Sequence, residues 1–137
     1  MAVMPAEVQE VFKNARVATL CTAREDGQAN GNIIMMKTII DDETIYLSDQ
    51  YFNKTMKNLE KNNKVAVVFC HENDAYEIYG TARYVNEGPE FEEQAAWVNA
   101  LFEQMGMPAK AKGGIFVTVD EVYFQGGGPE AGAKIAG

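Results

Sequence analysis

Lys64-Val65-Ala66-Val67-Val68-Phe69-Cys70-His71-Glu72-Asn73-Asp74-Ala75-Tyr76-Glu77-Ile78-Tyr79-Gly80-Thr81 is the stretch on which the reading of the fold turns. Its first half, Lys64 to His71, is a short apolar run rich in valine, the mark of a buried strand. Glu72-Asn73-Asp74 reads as a turn. From Ala75 to Val85 the pattern alternates, with Tyr76, Ile78 and Gly80 on one side and Glu77, Tyr79 and Thr81 on the other. Such alternation belongs to a strand with one face toward water. A tight polar turn between two strands leaves no room for a crossover, so the pair is antiparallel.

Outward from this hairpin the same punctuation recurs. Lys54 to Asn62 reads as a helix that turns Phe52, Met56 and Leu59 to one side, with Asn53 as its N-cap. Asp49 to Asn53 is polar and irregular, and Thr44 to Ser48 is a short strand. Asp41-Asp42-Glu43 is a turn, preceded by one long strand from Gln28 to Ile40, bent near Gly31. Arg24-Glu25-Asp26-Gly27 is a turn because Asp-Gly supplies the positive φ of a tight hairpin, and Arg16 to Thr22 is the strand before it. Pro5 starts a short helix with Val8, Val11 and Phe12 at helical spacing.

Downstream, Asn86-Glu87-Gly88-Pro89 opens the longest helix, which runs to about Met105 and ends at Gly106. Phe91, Ala95, Val98 and Phe102 form its apolar stripe, with Leu101 and Met105 beside it. Gly113-Gly114 precede the last strand, Ile115 to Phe124. Residues 1–125 thus make the domain, and the Gly/Pro/Ala-rich residues 126–137 are expected as a flexible tail. The order α-β-β-β-α-β-β-α-β predicts a mainly β protein. Six antiparallel strands most economically close into a barrel, which removes sheet edges, with a short and a long helix at its periphery.

The chain has 137 residues, 47% apolar and 23% charged, which is ordinary usage for one globular domain. Twelve basic against twenty acidic residues, net −8, argue against bulk binding of nucleic acid or anionic membranes. No apolar run is long enough to span a bilayer, and Met1 to Glu10 carries no secretory signal pattern. Cys21 and Cys70 lie far apart in apolar runs and are expected as buried thiols. A cytoplasmic location is the expectation that follows.

The chemistry concentrates between Ser48 and Leu59. A strand ends, a polar loop follows, and a helix starts with Lys54-Thr55. First-turn N–H groups lack carbonyl partners, and the macrodipole adds about half a positive charge, so such a start suits a phosphate. Four lysines against one glutamate between Tyr51 and Lys64 make this segment locally +3. A solvated helix face with an ordinary cap accounts for the same residues. The glycines of a P-loop are missing from positions 48 to 53, which excludes that class of NTPase. His71 is the single histidine, so no histidine-based metal set is available, and at a strand end it reads as structural. Met35-Met36 and Tyr51-Phe52 read as core, or as a soft wall for a flat ligand.

Read together, several segments resemble the FMN-binding split barrel of the pyridoxamine 5'-phosphate oxidase-like superfamily, and within it the small bacterial FMN-binding proteins. The anchors are Val17 to Thr22 with Asp26-Gly27, Asn32-Ile33-Ile34-Met35, Lys54-Thr55 with Asn58-Leu59 and Val65 to Phe69, and Gly88-Pro89-Glu90-Phe91. The resemblance covers about residues 8 to 125. The resemblance implies a homodimer with FMN at the subunit interface. It implies that Lys54 and Thr55, with Asn53 beside them, hold the phosphate. Ser48, Asp49 and Gln50 would line the ribityl and phosphate end, and Asn32, Ile33, Ile34 and Met35 the isoalloxazine. Tyr123, Phe124 and Gln125 would approach the flavin of the other subunit.

The expected function is that of a small flavoprotein passing electrons, as a carrier or a flavin-dependent reductase, with a redox protein or a nicotinamide nucleotide as partner. A module that binds or senses a flavin without turnover, and a haem-binding relative on the same barrel, are the alternatives. The superfamily's name-giving oxidases carry Arg and His in a longer C-terminal region. This chain has no Arg after Arg83, so oxidation of pyridoxamine phosphate itself is not expected.

Overall fold

The computed structural model describes all 137 residues. In chain order the elements are α1 (Ala6–Asn14), β1 (Ala18–Ala23), β2 (Ala29–Ile34), β3 (Lys37–Asp41), β4 (Thr44–Asp49) and α2 (Lys54–Lys61). They continue with β5 (Lys64–His71), β6 (Asp74–Val85), α3 (Pro89–Gln104), β7 (Gly113–Phe124) and β8 (Lys134–Ala136). All strands join one antiparallel sheet in the order β2-β1-β5-β6-β7-β4-β3, with β8 beside β7. The sheet curls into a split barrel, mainly β, with three helices around it.

The turn chemistry is as expected. Gly27 sits at φ +90 between β1 and β2, and the Arg24 N–H donates to the Gln28 carbonyl at 2.9 Å. In the central hairpin His71 pairs with Asp74, so only Glu72 and Asn73 turn the chain, Glu72 in the left-handed region at φ +55. Val65, Val67 and Phe69 of β5 and Tyr76 and Ile78 of β6 point into the core. Val8, Val11 and Phe12 of α1 plug one side of that core, Phe12 meeting Phe69 edge to face at 5.1 Å.

Two expectations are corrected. The segment 28–40 is two strands, not one, so with β8 the sheet has eight strands rather than six. β2 pairs with β1 while β3 pairs with β4, and these are opposite ends of the sheet. One straight strand cannot serve both ends, so the chain steps across at Met35-Met36. Gly31, where a bend was expected, sits in regular register with Cys21. The same step leaves β2 and β3 as unpaired edges, which gives the split barrel that the resemblance implies.

The tail does not stay apart from the sheet. β8 returns to β7, with Ala136 opposite Val122 and Lys134 opposite Tyr123, and Lys134 meets Glu121 at 2.9 Å. Beyond the stretch paired with β4, this edge of β7 is covered by the Ala2 N–H on the Val119 carbonyl and then by β8. The expectation of two buried thiols is corrected as well: Cys21 is half-buried and Cys70 is exposed, because its side chain leaves the end of β5 on the solvent face.

Candidate functional site

The loop between β4 and α2 is held from inside. Asp49 is fully buried. Its Oδ1 accepts the Phe52 N–H at 2.8 Å and its Oδ2 accepts the Tyr84 hydroxyl at 2.6 Å, with Lys112 Nζ at 3.9 Å. The Asp49 side chain therefore faces inward and fixes the loop. Burial first, then the Asp49 hydrogen bond and charge, push the Tyr84 hydroxyl well above its ordinary pKa.

This anchoring sets where α2 begins. Asn53 makes no side-chain cap bond, so the first-turn amides of α2 are uncapped. Thr55 and Asn58 are buried beneath the helix. Asn30 Nδ2 donates to Thr55 Oγ1 at 3.2 Å and to Thr22 Oγ1 at 3.3 Å, and Asn58 Nδ2 donates to Thr22 Oγ1 at 3.0 Å. This four-residue network locks α2 against β1 and β2. Lys54 and Lys57 remain exposed, and neither is in an ion pair.

Two concavities flank this helix start. One, about 420 Å³, is lined by Lys54, Lys57, Asn58, Arg24 and residues 28–30. It holds three cationic side chains and no acidic one. Arg24 is forked onto Asp26 at 2.7 and 2.9 Å, which holds the Asp26 carboxyl down at about 2. The other, about 260 Å³, is lined by Asn32, Ile33, Ile34, Met35 and Met36, by Ser48, Gln50, Tyr51 and Phe52, and by Phe102, Met107 and Ala109. Nine of these twelve are apolar and Tyr51 alone is titratable. Ser48 Oγ accepts from Gln50 Nε2 at 2.6 Å, which orients the Gln50 amide at its rim.

The structure thus brings Asn32, Ile33, Ile34, Met35, Ser48 and Gln50 to one cleft and Lys54 to the next, while Thr55 lies beneath. Both clefts are built on the same two segments, β2 and residues 48–58. Tyr123, Phe124 and Gln125 line neither cleft of their own chain. Tyr123 donates to Glu121 at 3.0 Å and Gln125 to Glu77 at 2.9 Å. Phe102, Met107 and Ala109 carried no signal of a site in the sequence. Phe102 reads there as one more residue of an apolar helical stripe, and the chain after Gly106 reads as a connection.

A third and larger concavity, about 580 Å³, lies along Cys21, Ala66, Tyr79 and Glu121. Its charged groups already have partners: Lys64 donates to Thr81 at 2.9 Å, Asp120 accepts from Thr81 at 2.8 Å, and Glu121 meets Tyr123 and Lys134. Size alone does not make it the site. The paired clefts offer unmatched cations and an uncapped helix start beside an apolar wall.

The fold is thus an antiparallel split barrel with a cationic cleft and an apolar cleft at the start of one helix. The chain belongs to the pyridoxamine 5'-phosphate oxidase family, whose sequence model matches residues 4–126. It is 32% identical over 123 residues to an uncharacterised protein of Methanocaldococcus jannaschii, covering 88% of this chain and 80% of that one. In fold it is similar to HupZ of Group A Streptococcus, with a TM-score of 0.79 and 22% identity over 96% of this chain and 98% of that one. It is also similar to an FMN-binding protein from Syntrophomonas wolfei, with a TM-score of 0.70 and 18% identity over 83% and 80%.

Proposed function

We propose that this chain is a small FMN-binding flavoprotein that passes electrons or hydride between a donor and an acceptor. The observation that carries the reading is the adjacency of two unlike clefts on β2 and residues 48–58. One is cationic and suits a dianionic phosphate; the other is apolar and suits a flat ring. Lys54, Lys57 and the uncapped amides at the start of α2 would bind the phosphate, with Asn53 exposed at the N-cap position beside them and Thr55 steadying the turn from beneath. Ser48 and Gln50 would meet the ribityl chain, and Asn32, Ile33, Ile34 and Met35 the ring.

The flavin, when bound, supplies the redox chemistry; the protein supplies anchoring and environment. No carboxylate, histidine or lysine lines the apolar cleft. This favours simple electron or hydride transfer over chemistry that needs a side-chain acid or base. Ile33, Met35 and Tyr51 stand 66%, 48% and 79% exposed on the rim of that cleft. Large apolar side chains left open beside a ligand cleft support cover by a second copy of the chain, hence a homodimer with FMN at its seam. The net charge of −8 suits docking to a basic redox partner, weakened by salt.

The test is direct. Purified protein is denatured and the released chromophore identified, and stripped protein is titrated with FMN. A stoichiometric flavin that is bleached by dithionite and reoxidised by an added acceptor supports the reading. A colourless protein that ignores FMN overturns it, and a bound flavin that no donor reduces leaves a storage or sensing module.

A further inference from the structure

One polar group in the interior has no partner. The Tyr46 hydroxyl is fully buried and makes no hydrogen bond. Orphaned buried hydroxyls are uncommon, because each loses its water without recompense. The site of this one is shaped around it. Tyr46 packs on Phe116 at 4.9 Å, and Gly114 leaves the space the hydroxyl occupies, since a Cβ at that position would collide with it. Gly114 is also the register partner of Ser48. Tyr46 and Ser48 are two residues apart on one strand and so share a face. Gly114, against which the Tyr46 hydroxyl packs, lies directly opposite Ser48 in the ladder, so both hydroxyl-bearing side chains sit beside the same glycine, and that of Tyr46 is left without a partner.

Ser48 lines the apolar cleft, and Tyr46 does not. A serine hydroxyl has one proton to donate and two lone pairs to accept with. One lone pair of Ser48 already accepts from Gln50 Nε2. If Tyr46 takes the second, both lone pairs are used and the Ser48 hydroxyl, which lines the cleft, is left to act as a donor. We propose that Tyr46 is a positioning residue: on ligand binding its O–H closes onto Ser48 Oγ, which commits Ser48 to donate to an oxygen acceptor of the ligand. The inference rests on the flavin-site reading, where the acceptor is a ribityl or phosphate oxygen.

The test is a double-mutant cycle with FMN as the titrant: Tyr46→Phe, Ser48→Ala and both together, each with a thermal melt. Tyr46→Phe is expected to weaken FMN by about three- to tenfold, the size of one neutral hydrogen bond, while its Tm is unchanged or raised. The double variant is expected to bind no worse than Ser48→Ala alone. Unchanged affinity in Tyr46→Phe overturns the proposal, as do strictly additive losses. A lowered Tm for Tyr46→Phe means that the hydroxyl is already bonded in the free protein, and it overturns the premise. Failure of the unaltered chain to bind any FMN overturns the functional reading and this proposal together, whereas normal binding by Tyr46→Phe overturns the proposal alone.

Discussion

The Tyr84 hydroxyl on β6 donates to Asp49 Oδ2 at the end of β4 across 2.6 Å, and this contact anchors the loop that launches α2. Asp49 lies five residues before Lys54, so whatever loosens it displaces the helix start. Asp49→Ala leaves the Tyr84 hydroxyl and the Phe52 N–H without their acceptor in a buried setting. The expected loss is about 2–4 kcal/mol of stability, read by denaturant melts, with a weaker affinity for any phosphate-bearing ligand.

The same pair sets an alkaline limit. Burial and Asp49 raise the Tyr84 pKa above its ordinary 10.0, and burial lifts Tyr46 to about 12. A folded-state pKa above the unfolded value gives stability that is complete below pH 10 and lost as pH rises through the folded value, because the unfolded chain gives up its proton first. Stability is therefore expected to fall from about pH 10 upward, and Tyr84→Phe to flatten that limb in pH-dependent melts.

Lys54→Ala is expected to weaken FMN by about 1.5–3 kcal/mol, the scale of a charge-assisted hydrogen bond. Lys57, one helical turn on and equally unpaired, should contribute less, mostly through long-range attraction. Affinity of the unaltered protein should decline with added salt, and each lysine substitution should shallow that slope. An affinity untouched by Lys54→Ala would put the phosphate elsewhere.

Arg24 faces the cationic cleft but is forked onto Asp26. Asp26→Asn removes the competitor and is expected to tighten a phosphate-bearing ligand by a few-fold, seen by titration. In the unaltered protein the pair should open under acid. Asp26 holds its charge down to about 2 rather than 3.8, so the contact is complete above the higher value and disappears as pH falls through the lower one. The Asp26 carboxyl resonance measured by NMR reports that midpoint.

Gly113 and Gly114 are prevented from changing by two tyrosine hydroxyls. A Cβ at Gly113 meets Tyr84 and one at Gly114 meets Tyr46. Alanine at either position is expected to cost about 1–3 kcal/mol by overpacking, measured by thermal or denaturant unfolding. Alanine at Gly127, where a Cβ meets open space, should cost little.

Local structure and the order of elements were legible in the chain. Asp26-Gly27 turned the chain, the run from Lys64 to Val85 folded as a hairpin, and Phe91, Ala95, Val98 and Phe102 formed one buried helical stripe, because each signal lies within a few residues and acts through backbone preference or periodicity. Lys54 was legible as a cation at a helix start for the same reason. Tertiary structure alone decided the rest. The break at Met35-Met36 exists because β2 and β3 find partners at opposite ends of one sheet. Asp49 turned inward because Tyr84, thirty-five residues on, was there to meet it. Met107 and Ala109 became a cleft wall, and the Tyr46 hydroxyl became an orphan against Gly114 and Phe116, through contacts between segments that share no neighbourhood in the chain. Such pairings depend on how the sheet curls, and no short stretch of sequence carries that curvature.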